Sequence, residues 1–297
     1  MKSELIIIWQ YLLSACRYSG LTSYLVITTP TNKLVKKTTF SVCFNAIAPF
    51  LYASTLTITL KCSTRTNFHL VSAIITRVVY FAYLVFLYLV LNSTQTRVIT
   101  TFKNIIKFEN TTAKFIHKKI NTSRVSKILK YAIGVRCLSI AFMYTTSISL
   151  VGLTSWEVMF CHLRFLFISL LFLSGESLIF FYLLACWNIL KVFNFFIKEE
   201  RNVEIKQIKE ILHLYHGVKT DIQRISSLFV FFKLIHVAVE LATTLYGLFR
   251  EVETQEVDFL TKIHAFLVTG YWFFELTMET LLVLCPYMFL SEQVIVS

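Results

Sequence analysis

The chain has 297 residues, 56% of them hydrophobic and 15% charged, with a mean hydropathy of +0.66. Soluble domains carry roughly 25% charged residues, so there is too little polar surface here to cover a globule in water, and the surplus apolar surface belongs against lipid. The net charge of +12 would suit nucleic acid, but the basic residues gather between apolar runs, which speaks against that partner; seven Cys without a Cys-x-x-Cys pair speak against a disulfide scaffold and a structural zinc site.

In chain order, residues 1–37 form a cytoplasmic amino-terminal segment. Its apolar run 5–13, behind Lys2 and interrupted by Gln10, reads as a short membrane-surface or docking helix. A signal-peptide core is the alternative, and Leu13-Ser-Ala-Cys16 has the look of a bacterial lipoprotein cleavage box. Six stretches of the length a spanning helix needs, about 20 residues, then follow at 38–60, 70–91, 131–153, 165–190, 226–249 and 263–289. The expected fold class is therefore all-α: a polytopic membrane protein with a six-span domain over 38–289, cytoplasmic connections 92–130 and 191–225, and a short tail at 290–297.

Orientation follows from the 29 Lys and Arg residues. Twenty-one lie in the amino-terminal segment and the connections 92–130 and 191–225, five on the opposite side, and three (Arg77, Arg136, Lys233) within spans. The positive-inside rule makes both termini cytoplasmic. The acidic connection with Glu251, Glu253, Glu256 and Asp258 belongs outside. Three glycosylation sequons, at Asn92, Asn110 and Asn121, fall in the basic connection and are expected to stay unused. Cys62 and Cys161, in outer connections, could pair.

The connection 191–225 is expected to be helical. Ile208, Ile211, Leu212, Tyr215, Val218, Ile222 and Ile225 recur at three- and four-residue steps among charged residues, one apolar stripe that needs a partner in the chain or on a second subunit. Val98, Phe102, Ile105 and Ile106 repeat the pattern more weakly. With 7 Gly and 3 Pro, the broken helices typical of secondary transporters have little support.

Ionisable groups inside spans must face protein, water or an opposite charge. Glu176, Glu240 and Glu275 fall near mid-span, Arg77 toward the outside and Lys233 toward the inside. Lys233, His236 and Glu240 share a helix face, as do Glu275 and Glu279. Two readings of this seam stand side by side: a water-filled cavity for a ligand or ions, and interhelical ion pairs such as Glu240–Lys233. Tyr80, Tyr144, Tyr246, Tyr271 and Trp272 lie in the outer halves of spans, where they could line an apolar small-molecule pocket or form an interfacial belt. His213 and His216 lack a further metal ligand beyond Glu210 and read as a solvated face. No metal site, cofactor or catalytic constellation is expected.

Several segments together carry a family likeness: Arg17-Tyr-Ser-Gly-Leu-Thr-Ser-Tyr24 before the first span, the basic connection after the second, the stretch from Trp187-Asn-Ile-Leu through Ile211-Leu-His-Leu-Tyr-His to Ser226-Ser-Leu-Phe, and Cys285-Pro-Tyr-Met-Phe-Leu-Ser-Glu292. Taken as an ensemble, the chain resembles an insect gustatory receptor, of the insect chemoreceptor superfamily that includes odorant receptors. That resemblance implies a plasma-membrane, ligand-gated cation channel detecting small-molecule tastants, assembled as a homo- or hetero-tetramer amid membrane lipid. It implies a ligand pocket among the six spans, with Arg77, Tyr80, Tyr144, Glu176, Glu240, Tyr246, Tyr271, Trp272 and Glu275 as candidates. It also implies a subunit contact at Ile208, Ile211, Leu212, Tyr215, Val218 and Ile222. The family's seventh, pore-lining span, with Thr-Tyr, five mostly apolar residues and Gln-Phe, has no match here, so a truncated product, a partial gene model or a partner-dependent subunit is expected. The alternatives are an odorant receptor of the same superfamily, a secondary transporter using intramembrane carboxylates, and a structural or regulatory membrane protein without ligand.

Overall fold

The structure, a computed structural model, describes residues 4–22, 24–25, 36–37, 67–93, 95–151, 156–199 and 205–253, together with scattered helical positions within 39–50 and 263–288. It is all-helical apart from one antiparallel pairing of Tyr24–Leu25 with Lys36–Lys37. Among the described residues, six helices carry the architecture: α1 (Glu4–Tyr18), α2 (Asn67–Ser93), α3 (Gln95–Phe115), α4 (Ser123–Val151), α5 (Trp156–Glu199) and α6 (Ile205–Glu253). Among the described residues, two helices are long and apolar enough to span a membrane, 169–199 within α5 and 205–246 within α6. The other four expected spans are not delimited as such.

α5 is the central post. From Leu171 to Leu190 nearly every side chain is buried, whichever way it points, as expected of a helix apolar on all sides. α1, α2, α3, α4 and α6 all pack on it. At 44 residues it is about 66 Å long, more than twice the roughly 30 Å of a bilayer's hydrocarbon core. The expected span 165–190 is thus a section of a longer continuous rod.

α1 is the docking helix that its pattern calls for. Leu5, Trp9, Leu12, Leu13 and Cys16 form one buried face, with Glu4 in the first turn and Arg17 in the last complementing the helix dipole. It lies antiparallel to α5. Trp9 Nε1 donates to the Tyr182 hydroxyl (2.9 Å), which donates in turn to the Val98 carbonyl (3.0 Å). The Trp9 ring stacks on Phe102 at 4.1 Å. Two bonds and one stack therefore tie α1, α3 and α5 together. The Cys16 Sγ–H reaches the Ser174 carbonyl at 3.4 Å, and burial pushes its thiol pKa up to about 12, so this cysteine is chemically quiet.

α1 stops at a Schellman motif. Gly20 takes a left-handed φ of 76°; its amide donates to the Arg17 carbonyl (3.0 Å) and that of Leu21 to the Cys16 carbonyl (2.8 Å). The freed Gly20 carbonyl accepts from Asn45 Nδ2 (2.7 Å), and Tyr88 donates to the Asn45 carbonyl (2.8 Å). Gly20 and Leu21, within the Arg17–Tyr24 segment noted in the sequence, thus form a helix stop that is tied through Asn45 to Tyr88 of α2.

Two kinds of helix surface occur. α3 exposes Arg97, Lys103, Lys107, Asn110 and Lys114 and buries Val98, Phe102, Ile105 and Phe108, as a helix in water does. The first half of α6 behaves likewise, exposing Lys209, Glu210, His213, His216 and Arg224. Beyond Ser226 the pattern reverses. Phe231 is 58% exposed and Phe249 72%, with Leu234 and Ile235 also outward, while Lys233, His236 and Glu240 are buried. α4 reverses in the same way. Arg124, Lys127 and Lys130 are exposed near its start; further on, Arg136 is buried and Leu138 is 73% exposed.

The stripe on α6 finds its partner within the chain. Ile211, Tyr215, Val218 and Ile222 are buried against α3: Phe108 and Tyr215 pack ring to ring at 6.1 Å, and Asn104 donates to Asp221 at 3.0 Å. Four of the six residues assigned to a subunit contact, Ile211, Tyr215, Val218 and Ile222, are thus covered within the chain. Two amphipathic stripes of one chain cover each other, leaving only Leu212 on the outer side and Ile208 partly open. Trp9→Ala is expected to cost about 3–5 kcal/mol, the usual range for a buried Trp, by emptying the junction of three helices; a thermal melt of the purified chain should show the lower Tm.

Candidate functional site

The chemistry-bearing residues that the structure brings together sit where α2, α5 and α6 meet. Gly175 permits the close approach of α2 and α5: a Cβ there would stand 2.9 Å from Leu87 Cδ2. The next residue, Glu176, is then within reach of both neighbours. Lys233 Nζ lies 2.8 Å from Glu176 Oε1, with both side chains almost fully buried, and Tyr83 donates its hydroxyl to the same oxygen at 3.1 Å. Glu176 Oε2 has no hydrogen-bond partner among the described residues.

An aromatic wall completes the setting. The Lys233 ammonium lies 5.1 Å from the Tyr83 ring centroid and 5.7 Å from that of Phe172, within range of the attraction between a cation and a π face. Tyr83 meets Phe172 edge-on at 4.7 Å and stacks on His236 at 5.3 Å. His236 Nε2 stands 3.0 Å from Glu240 Oε2, one helical turn on. Neither atom forms a well-directed hydrogen bond there, so the contact is chiefly electrostatic. Glu240 also borders a crevice with Thr244, Phe273 and Leu276 that has no room for a water molecule. Two carboxylates face one ammonium and one imidazole.

Of the two readings of this seam, the described residues realise the ion-pair one, with partners other than the pair named. Lys233 takes Glu176 on another helix, and Glu240 takes His236. Lys233 and Glu240 are seven residues apart, about 10 Å along the axis, too far for direct contact. Tyr246 is partly exposed. Tyr271, Trp272, Glu275 and Glu279 lie outside the described residues, as do the side chains of Arg77, Tyr80 and Tyr144. Cys62 and the side chain of Cys161 fall outside them too. His213 and His216 are exposed, and among the described residues no three His, Cys, Asp or Glu side chains group as metal ligands.

Sequence reasoning missed Tyr83 and Phe172. The available signal was a hydroxyl-bearing aromatic three residues beyond Tyr80, on a helix that must cover a carboxylate. It missed Trp187 as a structural anchor as well: Arg124 and Lys191 both lie over its ring, at 5.3 and 5.2 Å.

No protein-family model matches the chain, and no curated protein matches it.

Removing one partner of a buried ion pair strands the other and costs about 3–5 kcal/mol, whereas replacing both with neutral groups of similar size is often near neutral. Glu176→Gln alone is therefore expected to lower Tm markedly, and Glu176→Gln with Lys233→Met to recover most of the loss. Thermal melts of the purified single and double variants compare the two directly.

Proposed function

We propose that the chain is a gustatory-type chemoreceptor subunit: a six-span plasma-membrane protein, with both termini cytoplasmic, that takes part in a ligand-gated cation channel responding to small-molecule tastants. The observation that carries the reading is the reversal of surface polarity along α6 and α4. Charged groups outside and apolar groups inside describe a helix in water. Phe231, Leu234 and Phe249 outside, with Lys233, His236 and Glu240 inside, describe a helix in lipid, where exposed charge is costly and buried charge must be paired. The lipid boundary then runs near Ser226 on α6 and between Lys130 and Arg136 on α4. Lys233 stands nine residues beyond Arg224, about 13 Å deeper.

Family resemblance supplies the activity, and the helix arrangement supports it. α3, the inner half of α5 and the first half of α6 make a cytoplasmic helical layer continuous with the membrane helices. A change in tilt among the outer segments is thereby carried inward without a flexible joint. Glu176, Lys233 and Tyr83 act as the latch at which α2, α5 and α6 register. An agonist shifts the open population only as far as it binds that state better than the closed one.

Two experiments test the proposal. Asn92, Asn110 and Asn121 in the expressed chain are expected to remain unglycosylated, with no gel shift on glycosidase treatment; a shift would place 92–130 outside and overturn the topology. Recordings from cells expressing the chain, alone and with a second family member, against sugars, bitter compounds and carbon dioxide should give ligand-dependent cation current. Normal surface expression with no ligand altering the current in either setting would overturn the receptor reading, and uptake driven by an ion gradient would favour a transporter instead.

A further inference from the structure

A groove of about 360 Å³ lies between α1, α4 and α5, away from the charged cluster. Leu12 and Ala15 of α1, Ile133 of α4, and Leu170 and Leu173 of α5 line it, so its walls are almost wholly apolar. Its rim is open, with Tyr18 and Leu170 both exposed. Two of its three serines are engaged. Ser19 and Ser174 each donate to a carbonyl of their own turn, at 2.9 and 2.8 Å, and their hydroxyls stand 3.3 Å apart. The third, Ser177, also lines the groove, is only 6% exposed, and has no hydrogen-bond partner among the described residues. A hydroxyl that is nearly buried yet unspent is costly unless something answers it.

We propose that this groove binds a lipophilic molecule with a single hydroxyl or carbonyl oxygen, a medium-chain alcohol or ketone, whose oxygen bonds to Ser177 and whose hydrocarbon lies along α1 and α5. The volume falls within the range of small-molecule sites and holds on the order of 15 non-hydrogen atoms at interior packing density. The oxygen is the discriminating feature. A lipid acyl chain would fill the same walls but leave Ser177 unanswered, whereas an alcohol satisfies it. Because Tyr18 and Leu170 at the rim are exposed, entry is from the lipid phase if the chain lies in a membrane as proposed.

The test is covalent occupancy of the purified full chain in liposomes, using decan-1-ol that carries a diazirine on its alkyl chain, with adducts mapped by mass spectrometry. Labelling is expected within residues 12–19 and 170–177 and should be competed by decan-1-ol far better than by decane. Ser177→Ala is expected to weaken competition about five- to tenfold, the worth of one hydrogen bond. Ala15→Phe, at an exposed position where the new ring projects into the groove without disturbing the core, should abolish the labelling while leaving Tm unchanged. Labelling spread evenly over all apolar faces, labelling that survives Ala15→Phe, or equal competition by decane, which would mean an acyl chain only, each overturns the proposal. No current is needed for this readout, so the failure of this site and the failure of the receptor reading are distinguishable.

Discussion

An ammonium and a carboxylate 2.8 Å apart, both almost without exposure, set the terms for the rest of the molecule. Desolvating two such ions costs several kcal/mol each, and their attraction offsets that only while the geometry is kept. α5 and α6 therefore cannot part at this level without leaving two bare charges in an apolar surround. α2 is held by the same atoms, since Tyr83 both donates to Glu176 and presents its ring to Lys233. Close by, a Cβ at Gly175 would press on the Leu87 side chain of α2, 2.9 Å from its Cδ2.

Around that point the chain divides by the solvent each helix surface is made for. α3 and the first half of α6 turn charge outward and cover each other's apolar stripes. The far halves of α4 and α6 turn charge inward and hydrocarbon outward. No break in the helices marks the change: α6 runs through it for 49 residues. The same rod thus carries both kinds of surface, and α5, which all the others touch, runs beside it.

Much of this was legible in the amino-acid order. The lengths of the apolar runs pointed to the helical class, the run 5–13 to a short surface or docking helix, and Lys233, His236 and Glu240 were legible as one helix face. Choices among distant partners were not legible. Periodicity shows that a face is buried, not what buries it, so the stripe at 208–222 looked equally fit for a second subunit as for α3. Lys233 had carboxylates before it on several helices, and its selection of Glu176 depends on how closely α2 and α5 approach. That approach is a property of packing at Gly175 and Leu87, which no spacing rule reports.

The seat of α1 has a consequence in time. Trp9 is made 173 residues ahead of its hydrogen-bond partner Tyr182, on the order of ten to thirty-five seconds at ordinary rates of synthesis. Until Phe102 of α3 and then Tyr182 of α5 are made, the helix has an apolar face without the partners it finally packs on. The nascent chain must therefore park this segment elsewhere, on a membrane surface or a chaperone, and withdraw it once α5 emerges. The helix is thus made well before its seat on α5.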